Sequence, residues 1–266
     1  MQVKIGFIGA GNMSQAIIKG IVSSGIIGKG DVFASDKFKS ILEKVKKSYG
    51  INITEKNKEI VEKCDIVFLA VKPQFYKEVI EEISPFVKET TTIVTIAPGQ
   101  TLENLEATFG KEVKIIRTMP NTPAMVCEGM TAVCANEKVT KEELDYVCNL
   151  LNSIGKAQVV AEYMMDAVVG VSGSSPAYVY MFIEALADGA VMEGMPRDMA
   201  YKFAAQAVLG SAKMVLETGM HPGALKDMVC SPGGTTIEAV SILEERGMRS
   251  SVIEAIRGCV AKARKM

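Results

Sequence analysis

Two glycine-bearing turns, near opposite ends of the sequence, hold the residues whose types and spacing can do chemistry. In the first, the apolar run Val3 to Ile8 passes directly into Gly9-Ala10-Gly11, then Asn12, with a helical pattern at Met13, Ile17, Ile18 and Ile21. Strand, tight turn and helix in this order suit a dinucleotide pyrophosphate. Gly9 permits the turn, Gly11 lets a phosphate approach the backbone, and the helix N-terminus offers unpaired N–H groups and a partial positive charge. The third position of the motif holds Ser14 in place of Gly or Ala, and a ligand-free strand-to-helix turn would read the same way. In the second, Ser231-Pro232-Gly233-Gly234-Thr235-Thr236 separates two helical stretches and sets two hydroxyls at a helix N-terminus. Free amides and the helix dipole there favour an anion such as a carboxylate. An ordinary cap with a glycine turn has the same composition. A further loop, Val171 to Ala177, precedes another helix in the same manner, and His221-Pro222-Gly223 reads as a turn into a helix.

The elements that must position these residues alternate. Asp31 to Asp36 reads as a second strand ending in an acid, 22 residues past Ser14, near where a dinucleotide fold places the carboxylate that meets the adenosine ribose. Asp36 argues for NAD, whereas Ser35 with Lys37 and Lys39 offers a phosphate site, and a solvated turn fits equally. Asn57 is expected as the N-cap of a helix over Asn57 to Glu62. Asp65 to Val71 is an apolar strand broken by Lys72-Pro73, and Thr91 to Ala97 one broken by Pro98-Gly99. Strand ends that break into Pro or Gly loops suit the ligand crevice at the carboxyl edge of a parallel sheet. Helical patterns over Phe75 to Ile83 and Leu102 to Phe109 separate them. Val113 to Arg117 leads into Met119-Pro120-Asn121-Thr122-Pro123, expected as an extended rigid loop in which Asn121 either meets a nicotinamide or turns a corner. The alternation predicts a doubly wound α/β sheet.

Near residue 162 strand-like runs stop, and Ala, Met and Leu at helical spacing take over in Pro176 to Met192, Pro196 to Glu217 and Thr236 to Glu245. The expected domains are 1–162, binding a dinucleotide, and 163–266, all-α. Pro176 and Pro196 are expected in the first turns of their helices, and the Met-rich stripes as core or subunit interface. The chain has 266 residues, 30 Lys and Arg against 31 Asp and Glu, and no Trp. No basic stretch interleaves with aromatics, which argues against nucleic acid as a partner. No apolar run reaches the roughly 18 residues that span a bilayer, and no leader pattern opens the chain, so a cytoplasmic protein with no membrane partner is expected. Six cysteines without C-x-x-C spacing and a single histidine predict buried free thiols and no metal site.

Together these pieces resemble the pyrroline-5-carboxylate reductases. Phe7 to Met13, Ala70 to Pro73, Asn121-Thr122-Pro123, Ser172 to Tyr178 and His221 to Thr236 match that family in order over nearly the full length. The run Leu225-Lys226-Asp227 followed by Ser231-Pro232-Gly233-Gly234 and Thr236 is the most specific of them. Ser14 and Ser175 stand where the family often has Ala and Gly. The resemblance implies reduction of the cyclic imine 1-pyrroline-5-carboxylate to L-proline with NADPH or NADH, the last step of proline biosynthesis. It further implies a C-terminal domain that dimerises by interleaving, with dimers assembled into a decamer. Carried onto this sequence, Ile8, Gly9, Ala10, Gly11, Asn12 and Met13 would bind the pyrophosphate, with Ser35, Asp36 and Asn57 near the adenosine ribose. Ala70, Val71, Lys72, Pro73, Ile96, Ala97, Pro98 and Asn121 would border the ribose and nicotinamide. Val229, Ser231, Gly233, Gly234, Thr235 and Thr236 would hold the small-molecule substrate, with the Thr236 hydroxyl bonded to the imine nitrogen. The related hydroxyacid dehydrogenases use K-x-x-x-N or K-x-x-N, and no Asn follows Asn152. A non-catalytic nucleotide sensor has no need of a second anion site, and no G-x-S-x-G elbow of a serine hydrolase occurs.

Overall fold

The computed structural model describes residues 3–265. Eight strands form one sheet: β1 Ile5–Ile8, β2 Val32–Ser35, β3 Asn52–Thr54, β4 Ile66–Leu69, β5 Thr92–Thr95, β6 Lys114–Met119, β7 Gly129–Ala135 and β8 Gly155–Val159. The helices between them are α1 Asn12–Ser24, α2 Lys39–Tyr49, α3 Asn57–Lys63, α4 Tyr76–Ile83, α5 Leu102–Phe109 and α6 Lys141–Asn152. The strand order is β3-β2-β1-β4-β5-β6-β7-β8. The first six strands are parallel; β7 runs antiparallel to β6, and β8 pairs parallel to β7.

Burial explains why these segments are strands. β1, β4 and β5 are buried at every position, as strands covered by helices on both faces must be. One face packs Ile5, Phe7, Ala34, Phe68 and Val94 against α1 and α6; the other packs Ile8, Val67, Leu69 and Ile93 against α3, α4 and α5. Phe7 and Phe68 stack across β1 and β4 with ring centroids 4.8 Å apart. The register sets Ser35, Ile8, Leu69 and Thr95 side by side in one row. The turns that follow β2, β1, β4 and β5 therefore leave from one carboxyl edge. The order in which strands join the sheet reverses between β1 and β4, the switch point at which such sheets bind ligands.

Two compact units divide the chain: residues 3–173 with 259–265, and residues 174–258. The first unit also contains α7 Met165–Val168, the π-helical turn Val169–Gly173 and an ion pair from Arg264 to Asp166 at 3.0 Å. In the second lie α8 Ser175–Met192, α9 Arg197–Thr218, α10 Pro222–Val229 and α11 Thr235–Glu245, and α12 Met248–Ala263 begins there. Ala187, Ala200 and Ala204 are its buried core, flanked by Ile183, Val191 and Met195. Met192 is 85% exposed and Leu216 83%, so the Met- and Leu-rich stripes are not this unit's own core. Among the described residues no helix is long and apolar enough to cross a membrane.

Four local expectations are corrected. The N-cap of α3 is Lys56, with Asn57 its first helical residue, because the Asn57 side chain is drawn into a lateral hydrogen-bond chain instead. The segment after Asn121 is a 3-10 turn over Thr122–Val126 rather than extended, with Cys127 in the left-handed region (φ 61°) to end it. Pro196 is the N-cap of α9, whereas Pro176 does sit in the first turn of α8. Residues 171–173, expected as loop, complete the π-helical turn Val169–Gly173, which Ser174 separates from α8.

Candidate functional site

The first turn forms as its glycines require. Gly9 takes φ +97°, and a Cβ there would lie 2.6 Å from the Ala70 carbonyl oxygen, so β1 and β4 close on each other only because the side chain is missing. The Gly9 amide donates to the Ser35 carbonyl at 2.8 Å, and Ala70 N–H donates to the Ile8 carbonyl at 2.8 Å. Gly11, the N-cap of α1, is exposed, makes no side-chain cap and has open space where a Cβ would stand. Asn12 is exposed beside it, and Met13 packs partly against the core. This uncovered helix start, with unspent first-turn amides, fits a pyrophosphate. Ser14 is buried and donates to the Gly9 carbonyl at 2.6 Å, so the departure from Gly or Ala locks the turn.

At the carboxyl end of β2 the side chains are linked to one another. Asp36 Oδ2 accepts from the Ala10 amide at 2.8 Å, and Oδ1 from the Phe38 amide at 2.9 Å. Buried Ser35 donates through Oγ to Asn57 Oδ1 at 2.8 Å, and Asn57 Nδ2 donates to Glu82 Oε2 at 2.8 Å. Lys37 Nζ lies over the Phe75 ring (4.6 Å to its centroid) and the Phe38 ring (5.2 Å).

Beyond the switch point, Ala70, Val71 and exposed Lys72 leave β4, and Pro73 opens a 3-10 turn into α4. Ile96, Ala97 and Pro98 leave β5, with Ala97 buried. Tyr76 lies beneath both loops: its buried hydroxyl donates to the Leu69 carbonyl at 2.6 Å. Burial raises the phenol above its ordinary value, while the Ile96 and Ala97 amides pull it down. Thr118 donates to the Thr95 carbonyl at 2.7 Å. Asn121 is spent internally, donating to Ser172 and accepting from the Met130 amide at 2.9 Å, which favours the corner over the nicotinamide. Glu162 and Arg117 carried no sequence signal. Glu162 Oε1 accepts from the buried Arg117 guanidinium at 2.8 Å and from the Leu102 amide at 2.7 Å, at the end of the loop that follows Pro98.

In the helical unit, His221 caps α10 as the sequence suggests: its Nδ1 accepts from the Gly223 amide at 3.1 Å. Val229 closes that helix, exposed. The turn that follows bonds the Gly234 amide to the Ser231 carbonyl at 3.0 Å. Gly233 has φ +67°, which favours glycine, and a Cβ on Gly234 would meet Ser231 Oγ at 2.5 Å and displace that hydroxyl. Gly234 is the N-cap of α11 and no side chain caps it. Thr235 and Thr236 are the first two helical residues, Thr236 half-buried.

Two family descriptions match the two halves of the chain. Residues 162–266 match the family described as pyrroline-5-carboxylate reductase dimerisation, and residues 4–99 that described as coenzyme F420-dependent NADP oxidoreductase. A pyrroline-5-carboxylate reductase of Escherichia coli strain K12 is 53% identical over 266 residues, covering 100% of this chain and 99% of that protein. The chain belongs to the pyrroline-5-carboxylate reductase family. A Methanosarcina acetivorans member is 42% identical over 95% of this chain and 94% of its own. Among solved structures, a pyrroline-5-carboxylate reductase of Coxiella burnetii superimposes with TM-score 0.93 at 32% identity, covering 100% and 98% of the two chains. The Plasmodium falciparum pyrroline carboxylate reductase, solved with NADP bound, gives 0.90 at 33%, covering 99% and 97%.

Proposed function

We propose that the chain is an oxidoreductase that reduces 1-pyrroline-5-carboxylate to L-proline with NADPH or NADH, closing proline biosynthesis. The observation that carries this reading is identity of 53% along the whole chain to a pyrroline-5-carboxylate reductase, because both glycine turns fall within the match. In this reading residues 1–162 bind the dinucleotide and 163–266 form the substrate-binding and dimerisation domain. The subunits pair, with dimers assembling into a decamer, in the cytoplasm. Light scattering tests the assembly.

The pyrophosphate is assigned to Ile8 through Met13, and Ser35, Asp36 and Asn57 to the adenosine ribose. Ala70 to Pro73 and Ile96 to Pro98 border the ribose and nicotinamide, with Asn121 holding the turn after β6 through Ser172 and the Met130 amide. When bound, the reduced nicotinamide supplies the hydride that the imine carbon accepts. The work of the residues is alignment, since positioning lowers the barrier without any covalent participation by the protein. The uncapped amides of α11 hold the substrate carboxylate, with Ser231, Gly233, Gly234 and Thr235 shaping the turn and Val229 beside it. Thr236 Oγ1 orients the imine nitrogen. A threonine hydroxyl is a poor acid near neutrality, so it positions the nitrogen and does not supply its proton.

Absorbance loss of NADPH or NADH on addition of pyrroline-5-carboxylate tests the reading. Turnover with either nucleotide is expected; tight nucleotide binding without turnover would make the protein a sensor.

A further inference from the structure

The edge of the sheet that faces the adenosine ribose carries more information than a choice between two nucleotides left open. Recognition of a ribose 2′-hydroxyl needs an acceptor, whereas a 2′-phosphate needs unspent donors and net positive charge. Three observations bear on which of these the chain offers.

The first is the fixing of Asp36. Each carboxylate oxygen already takes one backbone amide, Ala10 N–H on Oδ2 and Phe38 N–H on Oδ1, so the group cannot swing away from the glycine turn. A carboxylate has about four acceptor sites, so two remain for ribose hydroxyls. The second is the spending of the donors. The Ser35 hydroxyl goes to Asn57 Oδ1, and the Asn57 amide goes to Glu82 Oε2, which brings a second carboxylate into the same chain of bonds. The third is the placement of the cation that follows Asp36 in sequence. The Lys37 ammonium lies over the Phe75 and Phe38 rings, and is held on that aromatic shelf.

We propose that Asp36, supported by the Glu82–Asn57–Ser35 chain, makes this protein select NADH over NADPH. The inference rests on the assignment of the β1–α1 turn and the end of β2 to the dinucleotide. Asp36 accepts from the ribose 2′-hydroxyl of NADH and repels the 2′-phosphate of NADPH. Glu82 acts at one remove, by keeping the Asn57 amide from turning toward a phosphate.

The test is titration of the full-length protein with NADH and with NADPH, without substrate, read by nucleotide fluorescence and by calorimetry. The ratio of the two dissociation constants is the quantity of interest, because a merely structural loss weakens both. The wild type is expected to bind NADH about 10-fold to 100-fold more tightly, the scale of one fixed charge near a phosphate at the protein surface. Asp36→Ser should move the ratio toward NADPH by about 10-fold or more. Glu82→Ala leaves both Asp36 bonds in place and should move the ratio in the same direction by a smaller factor. Tighter wild-type binding of NADPH, an unchanged ratio in both variants, or a selective loss of NADPH in Lys37→Ala would each overturn the proposal. If neither nucleotide binds, the dinucleotide reading fails with it. If both bind but pyrroline-5-carboxylate is not reduced, only the reaction is wrong.

Discussion

Gly9 shows how much of a site can depend on an absent side chain. Its backbone lies at φ +97°, where an L side chain is strained by about 1–3 kcal/mol, and a Cβ would press on the Ala70 carbonyl at 2.6 Å. Gly9→Ala is therefore expected to lower the unfolding midpoint and to weaken both nucleotides alike, since the turn and the β4 loop move together. Thermal melts with nucleotide titration check it; a stable variant with intact affinity would disprove the packing account. At the other turn, Thr236→Ala would, in the proposed reading, remove one hydrogen bond to the reacting nitrogen. Turnover should fall by about 10-fold to 100-fold, equivalent to about 1.5–3 kcal/mol, with the fold unaffected. An unchanged rate would take Thr236 out of the mechanism. Gly9 and Gly233, both at positive φ, are legible in the sequence because backbone need leaves a residue type behind. The commitment of Asp36 to the Ala10 amide is not, since it joins positions 26 residues apart.

At the level of elements, the strands around the switch point were legible because full burial writes continuous apolar runs. β3 was not: Asn52–Thr54 is three residues long, on the sheet edge and half-exposed, and too short for a period to show. Nor does strand content reveal that β7 runs antiparallel to β6, which depends on the 3-10 turn and on Cys127 at its end. Missed too were Arg117 and Glu162, one inside a strand and the other at a 3-10 turn, 45 residues apart. Glu162 pins β6 to the start of α5, and so fixes the far end of the loop that begins at Ile96. Glu162→Ala would leave the Arg117 guanidinium buried with its partner removed, a loss of about 2–4 kcal/mol. Glu162→Gln keeps an acceptor for the Leu102 amide and should lose less. Denaturant midpoints of the two variants decide this; equal stability of Glu162→Ala and wild type would mean the pair contributes nothing.

For the molecule as a whole, apolar surface and buried thiols set how it responds to dilution and to alkali. The helical unit buries only Ala187, Ala200 and Ala204 among its described apolar side chains, too small a core for its helices. A family match to a dimerisation domain covers this region, and in the proposed reading a partner copy packs against its exposed stripes. The thermal midpoint should then rise with protein concentration, each tenfold step adding about 1.4 kcal/mol per dimer, and a constant midpoint over a hundredfold range would contradict it. The thiols act differently. Desolvation by burial pushes Cys64 from its ordinary 9.0 to about 12 and Cys134 to about 11. In the unfolded chain both ionise near pH 9, while the folded protein keeps them protonated. The folded state then binds more protons, so stability is complete below about pH 9 and declines as the pH rises toward 11 to 12. Each thiol contributes a slope of about 1.4 kcal/mol per pH unit in that window. Guanidinium midpoints at pH 8, 9 and 10 should fall progressively in the wild type and less steeply in a Cys64→Ala, Cys134→Ala double variant. The comparison of slopes removes the cavity that each alanine leaves, because that loss is the same at every pH; identical slopes would show that the buried thiols are not the groups responsible.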